Sequence, residues 1–241
     1  MSQFSEARTY ADLLVLFDVV GARLNTSRRN LPNPHVDARH VALFGIQMVV
    51  GGYAMGFSSM IYKRSQDEIE ESWGKNNLTR QGAMMCIEGA WKNGMLVLFH
   101  FNIDTLFQNL LRAMNLYETR MGFVSMTGCL LKAVGIADDQ SRDVFLAIGY
   151  IRNTFHNNGI HRASALTVKI EDLDFVFLTD TAIKCASWAH IFAAMCATLE
   201  IVDRILLSAR IKALPTTIED KYASNPNDDW FDPVNYAKQL K

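Results

Sequence analysis

The sequence predicts an all-α protein, a bundle of long helices with one small β-hairpin inserted late in the chain. Three observations predict it. Pro32 and Pro34 come early and Pro215 comes late, so residues 35–214 lack the residue that breaks helices. Apolar residues recur at three- and four-residue spacing through most of that span. One stretch, "ALTVKIEDLDFVFLT" at residues 165–179, alternates instead and is rich in β-branched and aromatic residues, the pattern of a short hairpin or extended arm.

Residues 5–24 read as a first helix, with Leu13, Leu14, Phe17 and Val20 on one face. "TSRRNLPNPH", residues 26–35, reads as a loop. Residues 36–73 read as a second, long helix closed by "GKNN". Within it, residues 41–62 carry no charge, a length that could span a bilayer. Gly51, Gly52, Gly56, two serines and a Gln weaken that reading, and the pattern runs on into the amphipathic "DEIEESW". A long buried helix is the expectation, with a membrane span as the rival.

A third helix runs over residues 80–115, with a break expected near Gly94 and Ile103, Phe107, Leu110 and Met114 at helical spacing. A short helix covers about 125–134. "ADDQSRDVFLAIGYIRNTFHNNG" then reads as a helix complete in itself. Asp138 or Asp139 caps its start. Val144, Ile148, Ile151 and Phe155 form its apolar stripe, and Gly159 after two Asn is its stop. After the hairpin, residues 180–212 read as a last long helix. From Pro215 the chain is polar and poorly patterned, either loosely ordered or docked by Trp230 and Phe231. The expected organisation is an N-terminal helical region (1–80), a helical core (81–214) and a polar tail (215–241).

The 24 Lys and Arg nearly cancel the 25 Asp and Glu, so any anion-binding surface must be local. Cys86, Cys129, Cys185 and Cys196 are scattered among apolar residues without metal-ligand spacing, as reduced, buried thiols would be. The N-terminus has no secretory pattern, and a cytoplasmic protein is expected. No metal or cofactor motif is present.

The chemistry-bearing stretch is "IRNTFHNNGIH", residues 151–161. Arg152 and His156 are four apart, so a helix points them the same way, about one turn from each other. Gly149 lies on the same strip, where it removes a side chain and opens a path for a second helix or a second copy. Asn153 and Asn157 flank the pair. A guanidinium holds a phosphate through two hydrogen bonds and stabilises charge building on it. An imidazole moves protons to or from a ribose hydroxyl near neutral pH. Together these groups suffice for metal-free RNA cleavage by attack of the 2′-OH. The same residues also make an ordinary polar helix end, with His156 where the helix dipole favours a cation. Upstream, His100, Asp104 and Gln108 form a polar strip at i, i+4 and i+8. "SRR" at 27–29 is a second candidate for phosphate contact. "QDEIEES" reads as a solvated face.

"RNTFHNNG" resembles the signature of HEPN-type proteins, helical proteins with Arg-Asn followed shortly by His at the end of the last core helix. The resemblance covers residues 90–207. It implies a four- or five-helix bundle that pairs as a homodimer, so that two Arg-x-His motifs line one cleft. It also implies a metal-independent endoribonuclease in a toxin or phage-defence setting. Arg152, Asn153 and His156 take the motif positions, and an acidic residue on the preceding long helix, here Asp104, would orient Arg152; the bland reading of Asp104 is a half-exposed helix edge. The family's usual gap between Arg and His is four to six residues. Here three intervene, which turns the His by about 100°. His161, with eight residues between it and Arg152, falls outside the pattern. The Tyr that some members carry two residues after the His, modified by a partner antitoxin, is replaced by Asn158. Two rival readings stand beside the nuclease. One is a non-catalytic HEPN-like module that binds RNA, a nucleotide or a partner protein. The other is a membrane-associated helical protein using residues 41–62.

Overall fold

A computed structural model of the chain describes residues 3–7, 9–29, 31, 37–59, 80–136, 138–215 and 217–220. The protein is mostly α-helical, with short antiparallel strands between two of its helices. The helices are α1 (Gln3–Glu6), α2 (Tyr10–Arg29), α3 (Ala38–Phe57), α4 (Arg80–Ala113), α5 (Phe123–Val134) and α6 (Asp139–His156). The strands β1 (Ile160–His161), β2 (Leu166–Ile170), β3 (Leu173–Phe177) and β4 (Thr181–Ala182) follow, then α7 (Trp188–Leu207) and α8 (Ala209–Lys212).

Helix α2 starts later and ends later than expected. Thr9 and Asp12 bond reciprocally, each side-chain oxygen accepting the other's backbone N–H, a capping box that sets the start. The expected loop at 26–29 is instead the last turn of α2. Arg28 is engaged there, with Gln47 and with His40 Nε2 at 3.2 Å.

Helix α4 runs unbroken through Gly94. That glycine is a close-approach position, because a Cβ there would collide with the Tyr53 hydroxyl of α3. Gly45 does the same for Asn102. The two helices therefore pack antiparallel along their length. Residues 58–59 follow α3 directly, and the rest of the expected 36–73 helix, with "QDEIEES", lies outside the described residues.

Only one face of α3 is buried, through Ala42, Leu43, Ile46, Val50 and Phe57. Just 28% of its most apolar window is buried, which corrects the expectation of a buried helix. Phe44, Met48 and Met55 are exposed, and so are Leu98 and Phe101 on α4. Met48, Gly52, Trp91 and Leu98 line an apolar groove of about 520 Å³ between the two helices. By length and composition α3 is the one helix among the described residues that could cross a membrane.

The last long helix is shorter than expected. Residues 180–187 are not helical, because β4 pairs with β1 (Ile160 with Ala182, His161 with Thr181) and Ser187 caps α7. Strands β2 and β3 form the expected hairpin, from Leu166 paired with Phe177 to Ile170 paired with Leu173.

One hydrophobic core runs from Phe4 to Ile218 and includes side chains of every helix longer than one turn. Helix α7 lies through its middle, with twelve of its twenty residues buried. The tail enters the core at Ile218. Asp37 accepts the Ile218 N–H at 2.8 Å, and Ala38 N–H donates to the Ile218 carbonyl. Trp230 and Phe231 lie outside the described residues. The thiols fit the expectation of burial only in part: Cys185 and Cys196 are buried, Cys129 is half-buried and Cys86 is exposed.

Candidate functional site

Helix α6 carries the Arg-x-His pair, and its ends are set by its own sequence. Asp138 caps the start, accepting the Ser141 N–H at 2.6 Å. These bonds to Ser141 and the Arg204 guanidinium hold the Asp138 carboxyl below the usual carboxylate range. Arg204 on α7 reaches Asp138 at 3.1 Å and Ser141 at 3.2 Å, which ties the start of α6 to the centre of the core. Val144, Ile148 and Ile151 are buried as the stripe predicted, and Phe155 is half-buried. At the far end Asn157 is the C-cap, and Asn158 (φ 53°) and Gly159 (φ 83°) turn left-handed. Those are the residue types that tolerate this conformation. Gly159 N–H closes the end on the Thr154 carbonyl at 2.9 Å.

Gly149 is buried, and it is not a docking notch. A Cβ there would sit 3.8 Å from Phe123 and 4.0 Å from His100, both in this same chain. Phe107, Phe123 and Phe145 pack together beneath it and join α4, α5 and α6.

Arg152 and His156 line one open cleft of about 550 Å³ at the end of α6, together with Asn153, Thr154 and Asn157. Arg152 Nη1 donates to Asn153 Oδ1 at 2.8 Å, and its Nε is buried without a partner among the described residues. His156 is exposed, and its ring bonds to none of the described residues.

The strip on α4 faces Arg152. His100 is buried, with its ring 4.2 Å from that of Phe123. Burial and the Arg152 charge push its imidazole down to about 4. Burial raises the Asp104 carboxyl, against the opposing pull of the Gln108 hydrogen bond and the Arg152 charge. Asp104 accepts its hydrogen bond from Gln108 Nε2 at 2.8 Å, and among the described residues no ion pair within 4 Å joins it to Arg152. The group in direct contact with Arg152 is therefore Asn153. Asp104 acts on it through space.

Sequence reasoning set His161 aside, yet it lines the cleft with Tyr150 and Arg162. Its ring is 2% exposed and packs on Tyr150 and Phe177 at 4.7 and 5.3 Å between centroids. Its Nε2 lies 2.9 Å from the Ser164 carbonyl, so that nitrogen carries the proton. The signal that would have found it is the helix stop itself. A chain that reverses at Gly159 runs back past the end of α6.

The arrangement can bind an oxyanion. It presents two arginines, the exposed His156 and two amides beside the buried His161 ring, and among the described residues no Asp or Glu lines the cleft. No group of three or more His, Cys, Asp or Glu among the described residues is arranged to hold a metal ion. No protein-family model, no curated protein and no solved structure matches the chain.

Proposed function

We propose that the chain is a HEPN-like, metal-independent endoribonuclease that acts as a cytoplasmic homodimer in a toxin or phage-defence setting. The observation that carries this reading is the shared cleft. Arg152, Asn153, His156 and Asn157 line one opening, and among the described residues no Asp or Glu is part of its lining. In the reaction His156 takes the proton of a ribose 2′-OH. The 2′ oxygen bonds to the adjacent phosphorus and the P–O5′ bond breaks. The leaving O5′ receives a proton from an imidazolium, and the products are a 2′,3′-cyclic phosphate and a 5′-OH. Arg152 stabilises the negative charge on the phosphoryl oxygens. Asn153 holds the guanidinium, Asn157 anchors the RNA backbone, and Asp104 biases Arg152 through its charge.

The apolar stripe on α3 and α4 supports the paired state. Met55 is 73% exposed, and the patch extends over Phe44, Met48, Leu98 and Phe101. Contiguous apolar surface of this kind marks an interaction site. The unanchored His156 ring favours a second reading, a module that binds RNA, a nucleotide or a regulatory partner without cutting.

The test is RNA integrity with EDTA present. Wild type is expected to cut and leave cyclic-phosphate ends, and Arg152→Ala and His156→Ala to leave RNA whole. If the three proteins behave alike, the nuclease reading fails. Salt-sensitive binding without cleavage decides for the second reading.

A further inference from the structure

The cleft has a second wall that the cleavage scheme leaves unused. It is formed by β1 and the residue after it. The buried His161 ring, bonded to the Ser164 carbonyl, anchors the chain there. The next residue, Arg162, lines the same cleft as Arg152. Among the described residues its charge meets Asp180 alone, with Nη1 2.7 Å from Oδ1. The two side chains are 62% and 66% exposed. So exposed a pair is weak and readily exchanged. Asp180 is bound in place by its own backbone, whose N–H donates to the His161 carbonyl at 2.7 Å. Across the cleft, Arg152 keeps donors beyond the one given to Asn153.

We propose that Arg162 is a second phosphate-binding residue, and that Asp180 is an internal anion which an incoming phosphate displaces. This rests on reading the ligand as RNA. It adds that the ligand is a single strand spanning at least two phosphates, the reacting one at Arg152 and a neighbour at Arg162. A guanidinium suits either phosphate, because its fork donates two parallel hydrogen bonds. A cleft of about 550 Å³ lies within the range of sites that enclose a small ligand. A positively charged groove that tracks a backbone is the common device for holding single strands.

The test uses the full chain and a fluorescent 2′-O-methyl oligoribonucleotide, which cannot be cut because its 2′ oxygen is blocked. Binding is followed by anisotropy over a series of salt concentrations. Each phosphate contact on a single strand contributes about 0.7 to the slope of log affinity against log salt. Arg162→Ala is expected to weaken binding several-fold and to lower the slope by about that amount. Asp180→Asn is expected to tighten it. Asp180 has φ 59°, which Asn adopts as readily, so that variant keeps the turn. The double variant is expected to bind no tighter than Arg162→Ala alone. A mononucleotide competitor is expected to bind wild type and Arg162→Ala equally.

Wild-type affinity and slope in Arg162→Ala, with folding checked by circular dichroism, would overturn the second phosphate site. Unchanged binding in Asp180→Asn would overturn the displaced anion. Failure of the wild type to bind any oligonucleotide at low salt sinks the RNA reading itself, and this inference with it.

Discussion

Arg39 and Arg152 are both arginines beside polar partners, and the molecule treats them in opposite ways. Arg39 is 4% exposed, and its donors are spent on a carboxylate that is fully buried. Nε and Nη2 both donate to Asp37, at 2.8 and 2.7 Å. Asp37 also accepts the backbone N–H groups of Arg39 and Ile218. Among the described residues Arg152 has a single amide partner and a buried Nε with none, and an open cleft lies in front of it. A satisfied buried charge holds elements together, here the start of α3 and the C-terminal segment. A partly satisfied charge at an opening is available to a ligand. Removing the first is expected to be felt in stability, and removing the second in chemistry.

The largest effect is expected at Asp37. Asp37→Ala removes the buried carboxylate that accepts from the Arg39 guanidinium and from the Arg39 and Ile218 backbone N–H groups, and should cost about 3–5 kcal/mol. It would be read as a lower urea midpoint at unchanged slope. Acid tests the same contact. Burial alone would raise the Asp37 carboxyl, but the Arg39 bonds and charge and the Ile218 N–H outweigh it and hold it below its ordinary value of 3.8. Its stabilisation is thus present above the unfolded value and lost as pH falls through the folded one. A loss of stability no larger than that of a surface mutation would break the comparison from the structural side.

Next in size is Arg152→Ala. Cleavage is expected to fall by about 10²–10³, with stability changed by no more than about 0.5 kcal/mol. Rate and urea midpoint, measured on the same preparation, separate the two. A variant that unfolds would put Arg152 in the same class as Arg39.

A smaller effect is expected at His100, which lies between the two classes, since it is buried yet faces Arg152. Its folded pKa of about 4 lies below the ordinary 6.5. Between those values the unfolded chain binds the extra proton, so wild-type stability falls as pH drops from 6.5 towards 4. His100→Gln should flatten that part of the pH–stability curve. An unchanged curve would mean that His100 is not held neutral.

The smallest effect is expected one turn before Arg152. Gly149→Ala adds a methyl group at ordinary contact distance from Phe123 and His100. It should raise stability by about 0.5–1 kcal/mol, the usual gain in a helix interior. A loss would show that the contact of α6 with Phe123 and His100 is tighter than its packing suggests.

The half of the site on α6 was legible because it is local. Asp138, the apolar stripe and Asn-Asn-Gly each act within a few residues, and a four-residue step on a helix puts Arg152 and His156 on one side. The rest was not legible. Adjacent helix residues do not ordinarily face each other, so Asn153 was not an obvious partner for Arg152. Long side chains allow what the spacing rule discourages. Arg162 and Asp180 are 18 apart and meet only because β1 pairs with β4.

Helices α3 and α7 mark the same boundary in the fold. Both are twenty-residue apolar helices, and sequence alone determined that each would form, because helix periodicity and caps are local properties. Which of them would be covered was decided by the tertiary structure. Helix α7 has α2, α4, α6 and the hairpin packed around it, whereas α3 has α2 and α4 on one side and an apolar stripe left outward. Burial depends on how many neighbours the chain path brings to a helix. No residue within the helix carries that information.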